Sequence, residues 1–168
     1  MPEFSRNIWA PWRMEYIDQL IDESGDGCFL CRARDNPDQD AATFTLLRGE
    51  TCFAILNRFP YTSGHTLIAP YAHTGDLDDL DDATLLEIMT MTRRIKRVLG
   101  EVFHAEGFNV GINLGRCAGA GLPGHLHLHV VPRWPGDTNF MPVLDNIRVI
   151  PEAIEKFYRR IREAIGGE

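Results

Sequence analysis

The sequence predicts an α+β domain: a mainly antiparallel five-stranded sheet with one long helix and terminal helices. Three observations lead there. Short β-rich runs at 43–57, 65–71, 107–115 and 124–133 are bounded by turn formers. One stretch, 77–99, repeats its apolar residues near a period of 3.6. The strands read as hairpin-connected with the helices outside the strand runs, the pattern of an antiparallel sheet rather than of alternating parallel units.

From the start of the chain, IWAPWRMEYIDQLIDE sets Trp9, Trp12, Tyr16, Ile17, Leu20 and Ile21 at near-helical spacing after Pro11, predicting an N-terminal arm or helix over 1–27. SGDGCFLCRARDNPDQDAA is rich in turn formers and charge and reads as a loop unless something crosslinks it. Residues 43–57 form two β runs around Arg48-Gly49-Glu50, a hairpin signal. RFPYTSG is a turn, and HTLIAPY a third strand stopped by Pro70. Leu77, Leu80, Leu85, Ile88, Met89, Ile95, Val98 and Leu99 then mark the long helix. GFNVGINLG is a fourth strand, the glycine-rich RCAGAGLPG a loop, and GHLHLHVVPR a fifth strand. Pro151 opens a last helix carrying Ile154, Phe157, Ile161 and Ile165 on one stripe, ended by Gly166-Gly167.

The 168 residues, 44% hydrophobic, suit one domain over 1–168, with a core motif region at 28–137 and a C-terminal extension and helix at 138–168. No apolar run approaches a membrane span and MPEFSRNIWAPW lacks signal-peptide order, so the expectation is a cytoplasmic protein without a membrane partner. A net charge of −7 argues against binding nucleic acid through its backbone, which draws on Lys and Arg. The five aspartates of GDLDDLDD precede the long helix and read as its solvated start, where acids meet the positive end of the helix dipole. Four cysteines with no export signal make a disulfide framework unexpected. Cys52 and Cys117 read as small buried hydrophobes, and Cys28 and Cys31 as a CxxC pair open to metal, redox or burial.

The most informative segment is GHLHLHVVPR. On a strand, His125, His127 and His129 share one face, and Leu126, Leu128 and Val130 the other. Neighbouring histidines of that row stand ~6.6 Å apart along the chain. Their side chains can converge on one ligand, and three chemistries fit: a metal held by imidazole nitrogen, a phosphate bridged by imidazoles, or a nucleophilic histidine oriented by its neighbours. Gly115, Gly119, Gly121 and Gly124 just before it let backbone N–H groups cradle an anion.

HLHLHVV at 125–131 resembles the His-φ-His-φ-His-φ-φ signature of the histidine triad superfamily, φ being apolar, and LNRFPYTSGHTLIAP resembles that family's nucleoside-binding strand-turn-strand. IWAPWRMEYI, HLHLHVVPRW and GDTNFMPVL are most similar to its bacterial diadenosine polyphosphate hydrolase and phosphorylase branch. The resemblance implies an antiparallel sheet, a homodimer, and cleavage at the α-phosphorus of a nucleotide, an adenine nucleotide or a dinucleoside polyphosphate. Carried over by position, His127 is the nucleophile, His129 contacts the phosphate and helps the leaving group, and His65 supports it. Asn57 matches a ribose contact, and Asn113, Gly119 and Gly121 match phosphate contacts. Relatives with a CxxC bind zinc through residues that match Cys28, Cys31, His73 and His125, a closed set of two thiolates and two imidazoles that makes the zinc structural. No organic cofactor is expected. Asn113 stands where dinucleotide hydrolases often carry Gln, and some relatives carry Ser near Gly121, which leaves water and phosphate both open as acceptor. The rival readings are a nucleotide-binding sensor with incidental turnover and a Lewis-acid zinc at the triad itself.

Overall fold

In a computed structural model, residues 27–137 and 153–166 are described. The predicted N-terminal helix, most of GDTNFMPVL, Pro151 and Gly167 lie outside them. Helix α1 (Phe29–Asp35), a 3-10 turn (Pro37–Gln39) and helix α2 (Asp40–Thr43) lead into strands β1 (Thr45–Arg48), β2 (Cys52–Leu56) and β3 (Thr66–Pro70). Helix α3 (Asp82–Phe103), strand β4 (Gly107–Ile112), a 3-10 turn (Arg116–Ala118), strand β5 (Leu128–Arg133) and helix α4 (Ile154–Gly166) follow. The five strands form one sheet in the order β1-β2-β3-β5-β4, and every neighbouring pair is antiparallel.

Strand alternation sorts the side chains onto two faces. Cys52, Ala54 and Leu56 of β2, Ile68 of β3, and Leu128 and Val130 of β5 point to one face. There they meet Ile88, Met91, Ile95, Val98 and Leu99 of α3 and Phe157, Ile161 and Ile165 of α4. Phe53, Ile55, Leu67 and Ala69 point to the other face and pack with Cys28, Leu30 and Ala33 around α1. His129, opposite Leu67 in the β3–β5 register, belongs to this second face. Pro132 sits in a strand with neighbours on both sides, which its missing N–H would ordinarily forbid. The β3 partner ends at the Thr66–Val130 pair, so at Pro132 the strand is paired with β4 alone.

Three expectations need correction. The segment around the cysteine pair is helical, because the Cys28 sulfur caps the Cys31 N–H and Leu30 and Ala33 are fully buried. A seven-residue helix has little stability of its own, so tertiary contact overrides its loop-like composition. The long helix starts at Asp82, later than periodicity predicts, since Asp81 accepts the Thr84 N–H at 2.8 Å as N-cap. Its buried face uses Met91 and leaves Met89 54% exposed. Cys117 is exposed in the 3-10 turn, whereas Cys52 is buried as expected.

Candidate functional site

The histidine segment serves two centres joined by one residue. His129 lies in β5, while His125 and His127 precede it in a stretch outside the hydrogen-bonded ladder. The predicted strand is therefore shorter than its alternation.

In the first centre, Cys28, Cys31, His73 and His125 bring their ligand atoms within 4.8 Å of one another. Both thiols project from the first turn of α1, with Cys28 at the N-cap. His73 arrives on the loop after β3, where Leu126 N–H donates to Thr74 O at 2.6 Å. A Cβ on Gly75 would collide with the Pro123 carbonyl, so only glycine lets that loop close on the 122–125 segment. The His125 Nδ1 stands 3.3 Å from Cys28 Sγ, 3.5 Å from Cys31 Sγ and 3.3 Å from His73 Nδ1, and Cys31 Sγ is 3.1 Å from His73 Nδ1. Tetrahedral zinc with its usual bond lengths gives edges of about 3.3 Å between nitrogens and about 3.6 Å between nitrogen and sulfur. The donor set and spacing fit the ion.

The outer contacts fit it as well. His125 is fully buried and its Nε2–H donates to the Pro70 carbonyl at 2.9 Å, which turns the Nδ1 lone pair toward the thiols. Burial, then the neighbouring Cys28, pushes the Cys31 thiol up to about 11, and burial pushes His125 down to about 4.

The second centre begins at the backbone of the first. His127 donates Nδ1–H to the His125 carbonyl at 2.8 Å, leaving the lone pair on Nε2. Burial holds His127 below the ordinary histidine range, so it is neutral at pH 7. The His127 and His129 rings meet edge to face, centroids 4.9 Å apart. His129 Nδ1 lies 2.9 Å from Nε2 of the buried His65, so strand β5 and the end of the 57–65 turn share a hydrogen bond. The backbone N–H of Tyr61 donates to His65 Nδ1 at 3.1 Å, and Asn57 Nδ2 lies 3.3 Å from the same atom.

Asn57 thus reaches His65. Asn113 Nδ2 is 3.5 Å from Gly119 O, so these two predicted phosphate contacts meet within the glycine-rich loop. Gly115 and Gly119 adopt φ of 76° and 85°, left-handed conformations that a side chain would strain, while Gly121 has no such φ. Tyr61 joins the site beyond the expected residues, its ring 4.6 Å from His65 and 5.9 Å from His129, centroid to centroid. The Pro70 carbonyl and Gly75 join it likewise. An aromatic in the turn before the Gly64-His65 pair was the available signal for Tyr61; a backbone carbonyl has none.

The profile of the HIT domain matches residues 39–136. The chain is 36% identical over 153 residues to an AP-4-A phosphorylase of Mycobacterium tuberculosis, covering 89% of this chain and 78% of that one. It is 36% identical over 84 residues to the asymmetrical bis(5'-nucleosyl)-tetraphosphatase of Schizosaccharomyces pombe, covering 50% of this chain and 46% of that one. Among solved structures, a Zn-bound histidine triad family protein from Mycobacterium smegmatis superposes with a TM-score of 0.68 at 34% identity, covering 84% of this chain and 95% of that one. The sheet, the alternating histidines and these matches agree: the chain belongs to the HIT domain family.

Proposed function

We propose that this chain is a nucleotide hydrolase or nucleotidyltransferase that cleaves dinucleoside polyphosphates or similar nucleotides at the α-phosphorus, through a nucleotidyl-His127 intermediate. The observation that carries the reading is the 2.8 Å bond from His127 Nδ1–H to the His125 carbonyl. It fixes the one tautomer whose Nε2 lone pair attacks phosphorus. The new N–P bond takes that pair, the P–O bond pair departs with the leaving phosphate, and the proton stays on Nδ1 against the carbonyl. His129 and the Asn113, Gly119 and Gly121 loop then face charge on the transferred and leaving groups. In the second step water or inorganic phosphate attacks, the N–P pair returns to Nε2, and water gives up a proton to solvent.

The named activities of the Mycobacterium and Schizosaccharomyces relatives support this substrate class. Cys28, Cys31, His73 and His125 would hold a structural zinc, supported by their tetrahedral spacing and by the Zn-bound relative. That ion would contribute folding energy and leave the chemistry to the imidazoles. A homodimer is the proposed assembly: β4 is an edge strand with Val110 46% exposed, Leu114 just after it is 43% exposed, and α3 leaves Leu86 66% and Met89 54% exposed. Among the described residues no helix is long and apolar enough to cross a membrane. Product analysis of a panel of dinucleoside polyphosphates, with and without inorganic phosphate, tests the reading. Mononucleotide products in the absence of phosphate identify a hydrolase, and products extended by one phosphate a phosphorylase; intact substrate under both conditions would refute it.

A further inference from the structure

The amide of Asn57 has only one orientation open to it. Phe59 N–H donates to Asn57 Oδ1 at 2.9 Å, and a backbone N–H cannot accept. Oxygen therefore faces Phe59, and the amide nitrogen faces His65 Nδ1 at 3.3 Å. That imidazole nitrogen meets a second donor, the Tyr61 N–H at 3.1 Å. With two donors on Nδ1, His65 carries its proton on Nε2, where it points at His129 Nδ1, 2.9 Å away. His129 Nδ1 must then accept, which puts the His129 proton on Nε2. The Tyr61 ring, stacked at 16° on His129 and tilted on His65, restrains both imidazoles against ring reversal.

The geometry points to Asn57 as a positioning residue that, with the Tyr61 N–H, sets the direction of the His65–His129 hydrogen bond so that His129 presents N–H rather than a lone pair at Nε2. The opposite chain of tautomers would aim a lone pair at phosphate oxygens and repel them. This assignment rests on the reading in which His129 faces the leaving group, and it adds to ribose recognition a second role for the same side chain. Acting through His65, Asn57 matters most when the departing oxygen most needs a hydrogen bond.

Asn57→Ser is the informative variant: a serine hydroxyl accepts the Phe59 N–H as a weaker turn and is too short to reach His65. Turnover is compared on nucleoside 5'-aryl phosphates that share base and ribose and differ in phenol acidity. Loss of ribose contact lowers every member alike. Loss of the N–H donor lowers the poorest leaving group by about tenfold more than the best, a fraction of what an acid–base group supplies. In parallel, 15N spectra of the imidazoles report tautomers without any substrate. Wild type is expected to hold His65 as the Nε2–H form, and Asn57→Ser to raise its Nδ1–H population. A parallel loss across the aryl series, or a His65 tautomer unchanged by the substitution, would overturn the assignment. His127→Ala on the same series checks the underlying reading separately: normal turnover there would sink the nucleophile while the tautomer measurement still judged Asn57.

Discussion

Replacing Cys28 with serine should unseat zinc and loosen one corner of the fold before the rest. The four side chains that would hold the zinc join α1 to the loop after β3 and to the lead-in of β5, across sequence separations of 42 to 97 residues. Helix α1 itself is anchored mainly by Leu30 and Ala33, whose burial is worth about 2–4 kcal/mol by transfer of apolar area. A metal at a thousand times its Kd adds about 4 kcal/mol of linkage, comparable to that whole anchor. For a chain of this length each kcal/mol moves Tm by about 2–4 °C, so stripping zinc or removing Cys28 should lower Tm by about 8–16 °C. Amides of α1 should lose hydrogen-exchange protection first. The shift should shrink as pH falls. The metal-bound state carries fewer protons than the free one, because thiols such as Cys31, pushed up to about 11 without metal, must ionise to bind. The assay is metal analysis with thermal melts, plus or minus a strong chelator, with Cys52→Ala as a control in the other core cluster. Wild-type protein whose Tm ignores chelation, or Cys28→Ser that retains one zinc per chain, would rule out a zinc held by these four side chains.

Glu87 binds the Glu50 N–H at 2.8 Å, the Thr51 N–H at 2.6 Å and the Thr51 hydroxyl, pinning the β1–β2 turn to α3. Burial alone would raise its pKa, but these bonds outweigh it and hold the carboxyl below the usual range. Its stabilisation is thus present above the unfolded pKa and fades as pH falls through the folded one. Glu87→Ala should cost about 1–3 kcal/mol in urea unfolding at pH 7 and less at pH 3, and an equal cost at both would contradict the assignment. Val110→Arg, at an exposed position of the edge strand, should convert a light-scattering dimer at micromolar concentration into a monomer, whereas a dimer that survives would place the interface elsewhere.

Much of the fold is written in local patterns. CFAIL and TLIAP are buried on both faces and read as strands whichever way they turn, and the Phe157, Ile161 and Ile165 stripe of α4 was plain from its spacing. Where reading failed, the deciding contact was distant or carried by the backbone. Phe29–Asp35 becomes helical only when Leu30 and Ala33 meet Phe53 and Leu67. The periodicity of Leu77 and Leu80 extends past the true helix start because capping by Asp81 is a local hydrogen bond that an apolar stripe does not register. His125, His127 and His129 keep their alternation although only the last lies in the ladder, so the sequence marked their shared face but not that one turns to the thiols and another to a carbonyl. The orienting roles of the Pro70 carbonyl and the Tyr61 N–H have no residue-type signature.

The proposed reaction requires the middle histidine of the triad to become covalently attached to the nucleotide. Rapid quenching of stoichiometric enzyme with substrate labelled in the α-phosphate, followed by peptide mapping, measures this directly. The expected result is an acid-labile, base-stable nucleotidyl group on His127, formed at least as fast as turnover. It should be absent from His127→Ala, whose activity should fall by several orders of magnitude while nucleotide binding persists. Label on another residue, no label during active turnover, or an active His127→Ala enzyme would contradict it.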